Sequence, residues 1–160
     1  MNPTAERVVT IAHALCAAPR AAGTEREYPQ IVETLGKALA EQLQVHTVDT
    51  IALWSDPHTA ALGHVVAREL SARLIYAYAD QGILTLTAQP NTGDRIAVLD
   101  YEWEPFPGLA PLVTMLRTSA DVVAVASVLP LPPFVSAADL GDAAVIALDS
   151  APSPSGGDTP

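Results

Sequence analysis

Three carboxylates alternate with aromatic side chains in one short segment of the sequence. The segment is Val-Leu-Asp-Tyr-Glu-Trp-Glu-Pro-Phe-Pro-Gly-Leu, residues 98–109. Its acids are Asp100, Glu102 and Glu104, and Tyr101 and Trp103 lie between them. Burial in an apolar pocket raises the pKa of a carboxyl group, and a group with such a pKa can transfer a proton near neutral pH. The segment therefore suggests acid/base chemistry on a bound organic molecule.

The elements around this segment predict where it lies. Apolar runs predict strands at 51–54, 73–79, 83–88, 95–99, 122–128 and 145–148, and periodic patterns predict helices at 2–17, 27–44, 58–71 and 109–119. Strands that alternate with helices indicate an α/β fold with a mainly parallel central sheet and helices on both faces. The strands at 73–79 and 83–88 form a short β-hairpin. Ligands of such sheets bind at the carboxyl ends of the strands, where residues 100–109 are expected.

A second loop, after the strand at 51–54, is expected at the same edge. The predicted catalytic residues of the resulting cleft are Asp100, Glu102, Glu104 and His58, and the predicted ligand-binding residues are Trp54, Asp56, Tyr78, Tyr101, Trp103 and Phe106. Aromatic and acidic groups together favour an apolar or flat organic ligand, including a cationic one. Alternatives remain for single residues. Trp103 and Phe106 can instead plug the cleft, the three loop acids can be solvated, His58 can be a surface residue, and Asp56 is first a helix cap.

The composition limits the kinds of molecule that the protein is expected to bind. The 160 residues carry a net charge of −10 with eight basic residues, so no basic patch is available for nucleic acid or an anionic membrane. The N-terminus does not read as a signal peptide, and no apolar run has the length of a membrane span. A single cysteine, Cys16, which reads as a core residue, is consistent with the cytoplasm. We expect one domain over 1–149, a disordered Pro/Ser/Gly tail over 150–160, and neither a metal ligand set nor a cofactor.

The order of elements from residue 28 to 130 resembles the type I phosphoribosyltransferases, most nearly the orotate phosphoribosyltransferases. The counterparts are Tyr28 with the helix that follows it, the strand at 51–54, a pyrophosphate loop at 55–59, a helix rich in small residues, the hairpin as a hood, and the strand at 95–99. The resemblance implies that residues 100–109 correspond to the loop that binds the 5′-phosphate of phosphoribosyl pyrophosphate. It also implies a homodimer.

Residues in that loop depart from the family's pattern of two acids followed by Thr-Thr-Gly. In an alignment without gaps, Asp100 occupies the position of the first acid and Tyr101 that of the second. Glu104 and Pro105 occupy the positions of the two threonines, and Phe106 and Pro107 occupy positions of glycines. Prolines remove N–H donors and Glu104 adds a negative charge beside the expected phosphate. The pyrophosphate loop contains Asp56 and Pro57, and residues 74–94 contain no lysine or arginine.

The sequence thus predicts a phosphoribosyltransferase-like protein that has lost ordinary binding of phosphoribosyl pyrophosphate. The acidic and aromatic cleft would take a different small organic ligand, with acid/base chemistry of the lyase, isomerase or cyclase type in a biosynthetic pathway. Two alternatives stay open. One is a non-catalytic pseudoenzyme or small-molecule sensor, and the other is an atypical but active phosphoribosyltransferase.

Overall fold

The structure, a computed structural model, describes residues 28–149. Its helices are α1 (Pro29–Leu43), α2 (Pro57–Leu70), α3 (Leu109–Leu116) and α4 (Ala137–Leu140), with a 3-10 turn at Gln44–His46. Its strands are β1 (Thr50–Trp54), β2 (Arg73–Asp80), β3 (Ile83–Leu86), β4 (Arg95–Asp100), β5 (Asp121–Ser127) and β6 (Ala144–Ala147). These bounds lie close to the predicted ones. The predicted helix at 2–17, Cys16 and the tail at 150–160 lie outside the described residues.

The six strands form one sheet in the order β3-β2-β1-β4-β5-β6. Neighbours are parallel except β2 and β3, which form the antiparallel hairpin. Every residue of β1 is buried, and so are the four central residues of β4, since both strands are covered on both faces. The predicted α/β class with a mainly parallel sheet is confirmed.

Each face of the sheet has its own hydrophobic core, and the alternation of the strands assigns residues to one or the other. Ile51, Leu53 and Leu99 pack with α1 and α2 on the first face. Ala52, Val98 and their neighbours pack with α3 on the second. Helices therefore lie on both faces, as predicted.

Helices α1 and α2 approach each other closely at Gly36. A Cβ atom at this position would lie 2.5 Å from Cγ1 of Val65, so a larger residue would push the two helices apart. Arg68 of α2 also pairs with Glu33 of α1 on the surface. None of the described helices combines the length and the apolar character needed to cross a membrane.

Candidate functional site

Two loops at the carboxyl edge of the sheet enclose a cavity of about 180 Å³. We define this edge by the carboxyl ends of the parallel strands. One loop joins β1 to α2 (residues 55–56), and the other joins β4 to α3 (residues 101–108). The cavity, called here the carboxyl-edge cavity, is lined by Trp54, Asp56, Thr59, Asp100, Glu102, Trp103, Glu104, Phe106, Pro107 and Gly108. Seven of these are predicted site residues, so the structure does bring the two loops together at one site.

Among residues 28–149, four carboxylates and no basic side chain line this cavity. No lysine or arginine occurs in the connections that follow β1, β2, β4 and β5 at the same edge, which are residues 55–56, 81–82, 101–108 and 128–136. The four arginines of the described residues lie at the opposite edge, at the last turn of α2, the first residues of β2 and β4, and the end of α3. The charge distribution makes the carboxyl edge acidic, which favours cations over anions there.

Asp100, the last residue of β4, is the most perturbed acid of the cavity. Its pKa is raised from the usual 3.8 to about 6, mainly by burial and to a smaller extent by the nearby charge of Asp56. Its Oδ1 atom accepts hydrogen bonds from the hydroxyl of Thr59 at 3.0 Å and from the backbone N–H of Tyr101 at 2.7 Å. These two hydrogen bonds, and one from the backbone of Glu102, lower the pKa of Asp100, but burial raises that pKa by more than they lower it. Asp100 therefore takes up a proton at a higher pH than an ordinary aspartate does.

Thr59 links Asp100 to the start of α2. Its backbone N–H donates to Oδ2 of Asp56 at 2.9 Å, which makes Asp56 the N-cap of α2, as the sequence predicted. Its hydroxyl donates to Asp100. Thr59 is only 2% exposed, so the bond to Asp100 is shielded from water. Thr59 was missed as a site residue, because its position in the sequence signals only the first turn of a helix.

Replacing Thr59 with valine should move the pKa of Asp100 above its wild-type value of about 6. The change removes a hydroxyl that stabilises the ionised carboxylate and keeps the side-chain shape. A ¹³C NMR titration of the Asp100 carboxyl group measures the midpoint directly. Thr59→Ser, which keeps the hydroxyl, is the matched control. An identical midpoint in Thr59→Val and wild type would show that the bond does not set the pKa.

Trp54, at the end of β1, is hydrogen-bonded to the loop between β4 and α3. Its indole Nε1 donates to the backbone carbonyl oxygen of Gly108 at 2.9 Å in a buried position. Gly108 is the N-cap of α3 with φ of 82°, and a Cβ atom there would lie 3.0 Å from the carbonyl oxygen of Pro105. Only glycine suits this turn without strain. Trp54 is 8% exposed, so it holds the cavity's shape and offers a ligand little surface.

Trp103 and Phe106, from one loop, have opposite environments. Trp103 is 2% exposed and belongs to the core under α3, although it also lines the cavity. Its indole N–H is buried and has no hydrogen-bond partner among residues 28–149. Phe106 is 81% exposed at the cavity's rim. Trp103 thus fills part of the site and Phe106 does not, which leaves the cavity accessible.

Three predicted site residues do not line the cavity. His58 lies in the first turn of α2 and is half-buried. Tyr78 is exposed on β2, where it pairs with Thr85 of the hairpin. Tyr101 is 4% exposed and packs in the core beneath α1 and α2, because it continues the alternation of β4 and points to the same face as Leu99. Within residues 28–149, no group of three or more acidic, histidine or cysteine side chains is arranged to hold a metal ion.

Comparisons with known proteins identify the fold. No family model and no curated protein sequence matches the chain. Among solved structures, adenine phosphoribosyltransferase from Trypanosoma brucei in complex with AMP, pyrophosphate and ribose-5-phosphate is similar, with a TM-score of 0.63 and 13% identity over 91% of this chain and 79% of that one. Adenine phosphoribosyltransferase from Thermoanaerobacter pseudethanolicus is similar with a TM-score of 0.56 and 16% identity over 74% and 79% of the two chains.

UMP synthase from Leishmania donovani is also similar, with a TM-score of 0.61 and 16% identity over 90% of this chain and 35% of that one. The chain spans about a third of that protein. The resemblance to type I phosphoribosyltransferases is therefore confirmed at the level of the fold. The chain therefore has a phosphoribosyltransferase-like fold, with an acid-lined cavity at the carboxyl edge of its sheet.

Proposed function

We propose that the carboxyl-edge cavity binds a small organic cation in place of phosphoribosyl pyrophosphate, and that Asp100 exchanges a proton with it. The observation that carries this proposal is the set of four carboxylates, with no basic side chain, around the cavity. A phosphate about 4 Å from a single ionised carboxylate is repelled by about 4 kcal/mol at an effective dielectric of 20. The same field attracts a cation.

The comparison with the trypanosomal structure supports this choice. That protein was crystallised with AMP, pyrophosphate and ribose-5-phosphate, all of which carry phosphate groups. In the present chain the loop at residues 101–108 has Pro105 and Pro107, which lack N–H donors, and Glu104, which lines the cavity. A phosphate there would meet negative charge and few donors.

The state of Asp100 supports proton exchange. With a pKa of about 6 the carboxyl group is mainly ionised at physiological pH but takes up a proton more readily than an ordinary aspartate, which suits a general base. Thr59 and the backbone of Tyr101 hold the carboxyl group in one orientation. A group of this kind can serve acid/base chemistry of the lyase, isomerase or cyclase type.

Titration calorimetry tests the proposal by comparing two ligands. Phosphoribosyl pyrophosphate with Mg²⁺ should give no binding heat, whereas butylamine at pH 7.5 should bind with a millimolar dissociation constant, as expected for a fragment of five heavy atoms. The double variant Glu102→Gln, Glu104→Gln should weaken amine binding about tenfold. The double variant Glu41→Gln, Asp142→Asn, at two exposed acids outside the cavity, is the control for net charge. Micromolar binding of phosphoribosyl pyrophosphate would favour an active transferase and overturn the proposal.

A further inference from the structure

An aromatic side chain at the rim of the carboxyl-edge cavity is almost fully open to solvent. Phe106 is 81% exposed, the largest exposed fraction of any large apolar side chain within residues 28–149. Seven large apolar side chains are exposed in that part of the chain, and Phe106 alone among them lines this cavity. The cavity therefore has carboxylates along its walls and one accessible aromatic ring at its rim.

The backbone around Phe106 is restrained on both sides. Pro105 and Pro107 each fix their own φ at about −65°, and the proline that follows Phe106 disfavours the helical region for it. The next residue, Gly108, is held through its carbonyl oxygen by the indole of Trp54 at 2.9 Å. Phe106 therefore has less conformational freedom to lose on binding than an exposed residue of an unrestrained loop.

The size of the cavity determines which part of a ligand meets this ring. Pockets that enclose most of a drug-sized ligand have volumes of about 300–1,000 Å³. The carboxyl-edge cavity has a volume of about 180 Å³, so it holds a head group and leaves a longer tail at the rim. An apolar tail at the rim would be removed from water together with the ring of Phe106, which favours binding.

We propose that the ligand of this cavity is an arylalkylamine, in which a short chain joins an amine to an aromatic ring, and that this ring packs on Phe106 while the amine lies among the carboxylates. The inference rests on the proposed function, which supplies the cation. An aromatic tail fits the rim better than a flexible alkyl tail, because pairs of aromatic rings gain affinity beyond the area that they bury and a ring has few rotatable bonds.

Titration calorimetry at pH 7.5 with three amines tests the inference. Butylamine carries the head group alone, 2-phenylethylamine adds the aromatic ring, and 1,4-diaminobutane adds a second cation instead. Wild type should bind 2-phenylethylamine about tenfold more tightly than butylamine. In Phe106→Ala the ratio of these two dissociation constants should fall to between about one and two. Nuclear Overhauser contacts between the ligand's ring and that of Phe106 locate the ring directly.

Phe134→Ala is the matched control. Phe134 is 49% exposed in the connection that follows β5 at the same edge, and it does not line the cavity. This variant should keep the wild-type ratio of dissociation constants, because it removes an exposed phenylalanine away from the cavity. A ratio that falls equally in both phenylalanine variants would count against a specific contact with Phe106.

The outcomes separate the inference from the proposed function. If butylamine binds and 2-phenylethylamine binds no more tightly, or keeps its advantage in Phe106→Ala, the inference is overturned and the cation site stands. If 1,4-diaminobutane gains more over butylamine than 2-phenylethylamine does, the rim selects a second charge, and the inference is again overturned. If none of the three amines binds, the proposed function and the inference both fail.

Discussion

Trp103→Ala should lower the free energy of unfolding by about 3–5 kcal/mol, the largest loss expected from any single change in the cavity. Trp103 is 2% exposed and is the largest of the fully buried side chains. It packs in the same core as Leu109, Leu112 and Leu116 of α3. Its removal would leave a void under α3 that neighbouring side chains fill only in part. Urea unfolding followed by far-ultraviolet circular dichroism measures the difference, since this signal does not depend on the lost tryptophan.

Phe106→Ala is the matched control, because it removes another large aromatic side chain from the same loop. Phe106 is 81% exposed, so this change should alter the free energy of unfolding by less than about 0.5 kcal/mol. A loss of under about 1 kcal/mol in Trp103→Ala would show that Trp103 is not needed by the core. Comparing the free energies of unfolding of the two variants tests whether Trp103 stabilises the core while Phe106 lies only at the rim of the cavity.

Local patterns in the sequence were sufficient to predict most of the fold. The strands β1 and β4 are short apolar runs, and both are buried as parallel strands should be. Asp56 and Pro57 predicted the start of α2, and the N-cap bond from Thr59 to Asp56 confirms it. These features depend on residues within a few positions of each other, which is why sequence alone reveals them.

The contacts that shape the site could not be predicted in the same way. Thr59 and Asp100 are 41 residues apart, and Trp54 and Gly108 are 54 apart, so only the packed sheet brings them together. The position of Tyr101 is a different case. Tyr101 lies two residues after Leu99, so the two side chains point to the same face of the sheet, the one covered by α1 and α2. This two-residue periodicity can be seen in the sequence. Its predicted contact with the ligand overlooked that periodicity.

The arrangement of charge also depends on topology. The four arginines of residues 28–149 all lie at one edge of the sheet, because α2 and α3 begin at the carboxyl edge and end at the opposite one. The acids of the two loops that line the cavity lie at the carboxyl edge. The connections between strands and helices at that edge contain no lysine or arginine. Net charge alone argued against nucleic acid as a partner, whereas the separation of the four cavity carboxylates from the described arginines is visible only in the fold.

Asp100 should make the stability of the protein depend on pH between about 4 and 6. Its pKa is about 6 in the folded chain against 3.8 for an ordinary aspartate. Below pH 4 the group is protonated in both states, so its contribution to stability is fully present there. As the pH rises, the unfolded chain releases the proton first, and the free energy of unfolding falls until the folded group is ionised above pH 6. The total loss is about 2–3 kcal/mol.

Asp100→Asn isolates this contribution, because asparagine cannot ionise and keeps an oxygen for the bonds from Thr59 and Tyr101. Urea unfolding of wild type and variant from pH 4 to 8 should show the variant gaining about 2–3 kcal/mol relative to wild type across that range. Asp142→Asn, at an exposed position, should run parallel to wild type. Parallel curves for Asp100→Asn as well would mean that Asp100 ionises normally in the folded protein, and its role as a proton-exchanging group would then be lost.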